Sequence, residues 1–98
     1  MTWKIGFRPE IENDLIEAAN WYDSKAHGLG REFIEEFWNA IAVIQERPLT
    51  IAVATNGMRS FRMKRFSYLI HYRTSGDSIL VVGVTAGCRD ETWHRDRQ

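Results

Sequence analysis

The chain's two prolines, Pro9 and Pro48, bracket a stretch whose apolar residues recur at helical spacing, and this constrains the fold more than any other feature. Pro9 suits the first turn of a helix, where its missing N–H leaves no bond unmade. Pro48 ends one. After Pro9, Ile11, Leu15, Ala18, Ala19 and Tyr22 mark the inner stripe of a first helix. Glu10, Glu12 and Asp14 stand in its opening turns, complementing the positive end of the helix dipole. The pattern stops at Lys25-Ala26-His27-Gly28, with Gly28 as the expected C-terminal stop. A second helix is expected from Arg31 to Glu46, its buried stripe being Phe33, Phe37, Ala40, Ile41 and Ile44, flanked by Ile34 and Trp38. A link as short as Leu29-Gly30 makes the two helices an antiparallel hairpin.

Strand patterns lie on both sides of this hairpin. Trp3 to Arg8 alternates, with Trp3, Ile5 and Phe7 on one face. Pro48 to Gly57 is irregular, and its apolar stretch from Ile51 to Ala54 has no decisive period. The run MRSFRMKRFSYLIHY at 58–72 packs Arg59, Arg62, Lys64 and Arg65 together and then turns aromatic. Alternation along its first part places Phe61 and Met63 on one face and Ser60, Arg62 and Lys64 on the other. A second strand from Ser67 to Arg73 is expected to pair with it. Beyond a Thr74-Ser75-Gly76-Asp77 turn, Ser78 to Ala86 (SILVVGVTA) is apolar on both faces and belongs in a sheet interior. The order β-α-α-β-β-β predicts an α+β domain, its helices packed on one face of a mainly antiparallel sheet. With 98 residues, positions 1–98 form one domain.

The net charge of zero conceals an asymmetry. Residues 1–55 hold five basic and nine acidic side chains, a balance of −4, and residues 56–98 hold eight and four, a balance of +4. Such a split is what an anionic partner of the C-terminal half would require. Lysines and arginines that merely solvate strands and discourage edge pairing would give it too. No stretch reaches the roughly 18 apolar residues of a membrane span. The start MTWKIGFRPE lacks the apolar core of a secretory signal, and Cys88 is the single cysteine, so a cytoplasmic protein without disulfides is expected. His27, His71 and His94 show no metal-ligand spacing, and no glycine-rich phosphate loop or nucleophile elbow is present. No metal or cofactor is expected. The cations Arg59, Arg62, Lys64, Arg65, Arg73 and Arg89, interleaved with Phe66, Tyr68 and Tyr72, suit nucleic acid or an acidic protein surface.

Several segments resemble those of the RelE/ParE superfamily of toxin–antitoxin toxins. They are the opening strand, ANWY at 19–22, GLGREF at 28–33, RPL at 47–49, MRSFRMKRFSYLIHYR at 58–73 and GCRDETW at 87–93. The resemblance covers most of the chain and implies the same strand–hairpin–three-strand fold. It also implies a cognate antitoxin that wraps and neutralises the toxin.

What it implies about the target depends on the branch. Ribosome-dependent nucleases of the superfamily cut mRNA with basic residues that fall here on Arg62, Lys64 and Arg89. Their third-strand arginine falls on Leu69, a histidine used by some relatives falls near Ala86, and their tail tyrosine finds only Trp93 or Arg95. Arginine stays protonated and is a poor acceptor of a 2′-hydroxyl proton. FRMKRFSYLIHYR is more similar to the ParE branch, which inhibits DNA gyrase by binding. That branch implies Arg59, Arg62, Lys64, Arg65, Arg73, Arg89 and Trp93 as target contacts, with no catalytic residue. Antitoxin contact is expected at Trp21 and Trp38, which fall just off the helical stripes. The alternatives are an mRNA endoribonuclease working through Arg62, Lys64 and Arg89, and a non-toxic scaffold that binds only an antitoxin-like partner.

Overall fold

The computed structural model describes residues 3–54 and 56–86. In chain order they form β1 (Lys4–Phe7), α1 (Glu10–Lys25), α2 (Leu29–Glu46), β2 (Arg59–Arg62), β3 (Tyr68–Ser75) and β4 (Ser78–Ala86). The sheet order is β1-β4-β3-β2, antiparallel except where β1 runs parallel to β4. The expected element order and layering are therefore present. The chain leaves β1 for the hairpin, returns at the far edge as β2, and meanders back until β4 pairs Lys4–Phe7 with Ser78–Val81. As its composition requires, β4 lies inside the sheet, flanked by β1 and β3.

The core sits between the hairpin and one sheet face. From α2 come Phe33, Phe37 and Ile44, and from α1 Ile11 and Ala18; the sheet supplies Ile70, Tyr72, Ile79, Val81 and Val84. Burial of this kind contributes about 1.5–3 kcal/mol per large side chain. Trp3, Ile5 and Phe7 pack against the same cluster, as the alternation of β1 predicts. Two glycines make the hairpin. Gly28 holds φ +85°, the left-handed region that a side chain disfavours, and α2 begins on the next residue. Gly30 lets the first turn of α2 approach α1 so closely that its amide donates to Asp23 Oδ1 at 2.8 Å. Because Gly28 offers no side chain to cap α2, this carboxylate satisfies one of the helix's free N–H groups.

Several expected boundaries move. α1 stops at Lys25, and Gly28 instead precedes α2, which already begins at Leu29. Leu29-Gly30 is therefore helix and not the link, and β3 runs on through Thr74 and Ser75. A larger expectation fails as well. The basic strand does not run on to Lys64: β2 ends at Arg62, and 63–67 form a corner. There Met63 N–H donates to Tyr68 O at 3.0 Å and Tyr68 N–H to Phe66 O at 2.8 Å. Met63 and Phe66 both turn into the core, at 2% and 6% exposure. Two inward side chains three residues apart cannot lie on one face of a regular strand, so burying both requires the corner. Among the described residues of Pro48 to Gly57, whose state the sequence left open, there is no helix or strand. The Tyr72 hydroxyl pins the start of this segment by donating to Pro48 O at 2.8 Å.

Candidate functional site on the outer face of the sheet

Strand alternation sends Ile5, Phe7, Ile70, Tyr72, Ile79 and Val81 toward the helices. It leaves Lys4, Gly6, Ser78, Leu80, Thr85, Leu69, His71, Arg73, Ser75, Ser60 and Arg62 for the other, outer face. Charge is distributed unequally between the layers as well, although the helices also carry Lys25 and Arg31. The two helices carry nine acidic residues, whereas no strand carries any; the strands hold Lys4, Arg59, Arg62 and Arg73. The predicted asymmetry between halves of the sequence thus becomes one between layers.

The predicted cations do not form a single ribbon. Arg59 lies on the helix-facing side and donates to Ile51 O, anchoring the long loop. Arg65 pairs with Glu32 of α2, its guanidinium 5.4 Å from the Phe66 ring centre. Lys64, expected beside Arg62, instead lines a hollow of about 200 Å³ with Glu36, Asn39, Ala40, Val43 and Phe61. The corner after β2 carries it around the sheet edge toward α2. Arg62 and Arg73 remain on the outer face. Among the described residues the side chains of Lys4, Arg62, Lys64 and Arg73 make no ion pair or hydrogen bond. Arg89, Trp93, Cys88, His94 and Arg95 lie outside the described residues.

His71 holds a position that spacing in the sequence did not reveal. It is 5% exposed, with Ser60 Oγ 2.7 Å from Nδ1 and Thr85 Oγ1 2.7 Å from Nε2. The line runs across β2, β3 and β4, with Gly83 of β4 opposite His71 in the register. A neutral ring can accept a hydrogen bond from one hydroxyl while donating one to the other. Only strand register brings these three together, so no local motif announces them. Elsewhere, burial and the neighbouring Tyr68 raise the Tyr22 hydroxyl above its ordinary pKa. Burial raises Tyr72 as well, with Arg59 pulling it the other way. Among the described residues no group of His, Cys, Asp and Glu is placed to hold a metal ion.

Both tryptophans singled out in the sequence are half exposed, Trp21 at 54% and Trp38 at 51%. Trp21 stands edge-on to Tyr22, 5.0 Å between centres, beneath the Lys25 ammonium. With Asp14, Glu17, Tyr68, Val84 and Ala86 it borders a groove of about 490 Å³ between α1 and the ends of β3 and β4. β1 covers β4 only from Ser78 to Val81, so this groove follows the part of β4 that β1 leaves uncovered. Trp38 lies elsewhere, edge-on to Phe7 and Phe37 at 5.6 and 5.0 Å. The structure does not join the two into one patch.

Strand order, hairpin and parallel closure together can be compared with solved structures. The fold is shared with a chain of the chromosomal ParDE TA system from P. aeruginosa. The superposition has a TM-score of 0.76 and covers 86% of this chain and 95% of that one, at 12% sequence identity. No family profile and no curated protein matches the sequence. The likeness is one of architecture, and it agrees with the fold that the resemblance implied. No helix among the described residues is long and apolar enough to cross a membrane.

Proposed function

We propose that this chain is the toxin of a type II toxin–antitoxin module, ParE-like, which inhibits DNA gyrase by binding and is neutralised by a cognate antitoxin. The observation that carries this reading is the fold shared with a chain of the ParDE system, taken with the motifs quoted from the sequence. The separation of Arg62 from Lys64 favours binding over cleavage. Arg62 is the last residue of β2, on the outer face, whereas Lys64 lies in the corner beyond it and borders a hollow with Glu36, Asn39 and Val43 of α2. Target contact falls to Arg62 and Arg73 on the outer face, to Lys64, and to the tail residues Arg89 and Trp93. Arg59 and Arg65 serve the fold first. The antitoxin is assigned to the Trp21 groove and to Trp38, where an added helix or strand would cover exposed aromatic surface.

The second reading is mRNA cleavage on the ribosome, for which His71, buried with both ring nitrogens bonded to Ser60 and Thr85, would have to be uncovered to act as the proton acceptor that arginines lack. Induced expression without antitoxin separates the two. Filamentation and an SOS response with continuing translation fit gyrase inhibition, to be followed by a supercoiling assay. An immediate halt in translation with cut mRNA, abolished by His71→Ala, would replace it with the nuclease. Growth without any defect would leave the binding-only scaffold. Loss of antitoxin affinity in Trp21→Ala and Trp38→Ala is expected; unchanged affinity in the double variant would remove both anchors.

A further inference from the structure

A groove of about 640 Å³ crosses the outer face where β1, β4 and β3 run side by side. Its lining includes Lys4, Arg73, Ser75 and Ser78 and no carboxylate. The register arranges them in two rows. Lys4 pairs with Ser78 and Ser78 with Ser75, while Gly6 pairs with Leu80 and Leu80 with Arg73. Lys4 and Arg73 thus stand at opposite corners of a three-strand patch, with two hydroxyls along one row and Leu80 between. Strands about 4.8 Å apart, rising about 3.3 Å per residue, separate their Cα atoms by roughly 12 Å. Two long side chains can close that distance around one small anion. Neither makes an ion pair or hydrogen bond among the described residues. Gly6 keeps the remaining corner clear, since a Cβ there would meet nothing within 4 Å.

From this arrangement we propose that the groove is a binding site for a phosphate monoester. The phosphate sits between the Lys4 ammonium and the Arg73 guanidinium, with the Ser75 and Ser78 hydroxyls on its other oxygens. A tetrahedral dianion can use a fork, a point charge and two hydroxyl donors at once, whereas a single arginine fork already occupies both oxygens of a carboxylate. A groove of this volume takes a mononucleotide-sized ligand. The same phosphate chemistry is offered by a free nucleotide and by the 5′ end of a nucleic-acid strand. The inference goes beyond the toxin reading and does not rest on it.

The test is an amide NMR titration of the full ¹⁵N-labelled chain with inorganic phosphate, adenosine 5′-monophosphate and adenosine, at constant ionic strength. Phosphate and the monophosphate should both shift Gly6, Ser75 and Ser78, and adenosine should not. Lys4→Gln should weaken monophosphate binding about tenfold, the loss expected for one charge-assisted contact. Gly6→Leu, which fills the clear corner without removing a charge, should block it while leaving the amide spectrum otherwise native. Comparing a short oligonucleotide with and without its 5′-phosphate then separates the sources. Tighter binding of the phosphorylated strand than of the monophosphate assigns the site to strand ends, and the reverse assigns it to free nucleotides. Absence of phosphate-dependent shifts, shifts equal in wild type and both variants, or preferential binding of an acidic peptide in the same groove would overturn the proposal. Because Lys4 and Gly6 are outside the assigned target contacts, both variants should keep any growth inhibition, so failure here leaves the toxin reading untouched.

Discussion

Replacing Gly30 with alanine isolates the close approach of the two helices. In an ordinary helix this change stabilises by about 1 kcal/mol, because alanine has less backbone freedom to lose. Here the new Cβ would lie 2.3 Å from the Ala19 carbonyl oxygen, 2.9 Å from Asp23 Cγ and 3.0 Å from the Ala19 carbonyl carbon. The nearest of these is backbone and cannot rotate aside. Restoring ordinary contact at about 3.4 Å requires the start of α2 to retreat by about 1 Å. Overpacking of this kind costs about 1–3 kcal/mol. The same retreat stretches the Asp23–Gly30 bond, a charge-assisted contact of about 1.5–3 kcal/mol. It also loosens Phe33, which is fully buried two positions beyond Gly30's neighbour. Against the gain in propensity, the net expectation is a loss of roughly 2–4 kcal/mol. Urea unfolding followed by far-UV circular dichroism measures it, as a lower midpoint at unchanged slope. Gly6→Ala is the control, since its Cβ meets open space, and it should stay within about 0.5–1 kcal/mol of wild type. If Gly30→Ala were as stable as wild type, the close contact would not be a feature of the folded chain.

Two further outcomes follow from the packing. Tyr72 and Tyr22 have folded pKa values raised above the unfolded value near 10. Between the unfolded and folded values the native state holds more protons, so stability is constant below about pH 10 and falls as pH rises through the folded values. Tyrosine ionisation read at 295 nm should therefore lag behind that of free tyrosine, and Tyr72→Phe should reduce the alkaline loss; early ionisation of all three tyrosines would contradict the burial. For Arg65 and Glu32, with side chains 55% and 44% exposed, solvent screens the pair, and a double-mutant cycle should give under about 1 kcal/mol of coupling that shrinks with salt.

Elements with their own periodicity were legible from the residues alone. The helical stripes, the alternation of Trp3, Ile5 and Phe7, and the all-apolar Ser78–Ala86 each announced their place, and β4 has the predicted ends. The corner at 63–67 was not legible, because alternation continues on paper through Met63 and Lys64. Only the competing pull of Met63 and Phe66 into one core breaks it. That break separates Arg62 from Lys64, so the linear cluster of cations overstated how many could meet one partner. Lys4 and the Ser60–His71–Thr85 line were missed for the converse reason. Their neighbours come from distant strands, and register, which a single sequence does not display, brings them together.

Among the described residues the acidic side chains crowd the helices while the strands carry only basic ones, so the two layers of a chain of zero net charge differ in sign. In a uniform potential such a molecule feels no net pull, but near a charged surface it feels a torque. It would approach a polyanion with the sheet leading and a polycation with the helices leading, orienting before it touches either. At neutral pH it should consequently be retained at low salt by both anion- and cation-exchange resins, in opposite orientations. A chain chosen by its isoelectric point of about 6.8 would be expected to bind neither.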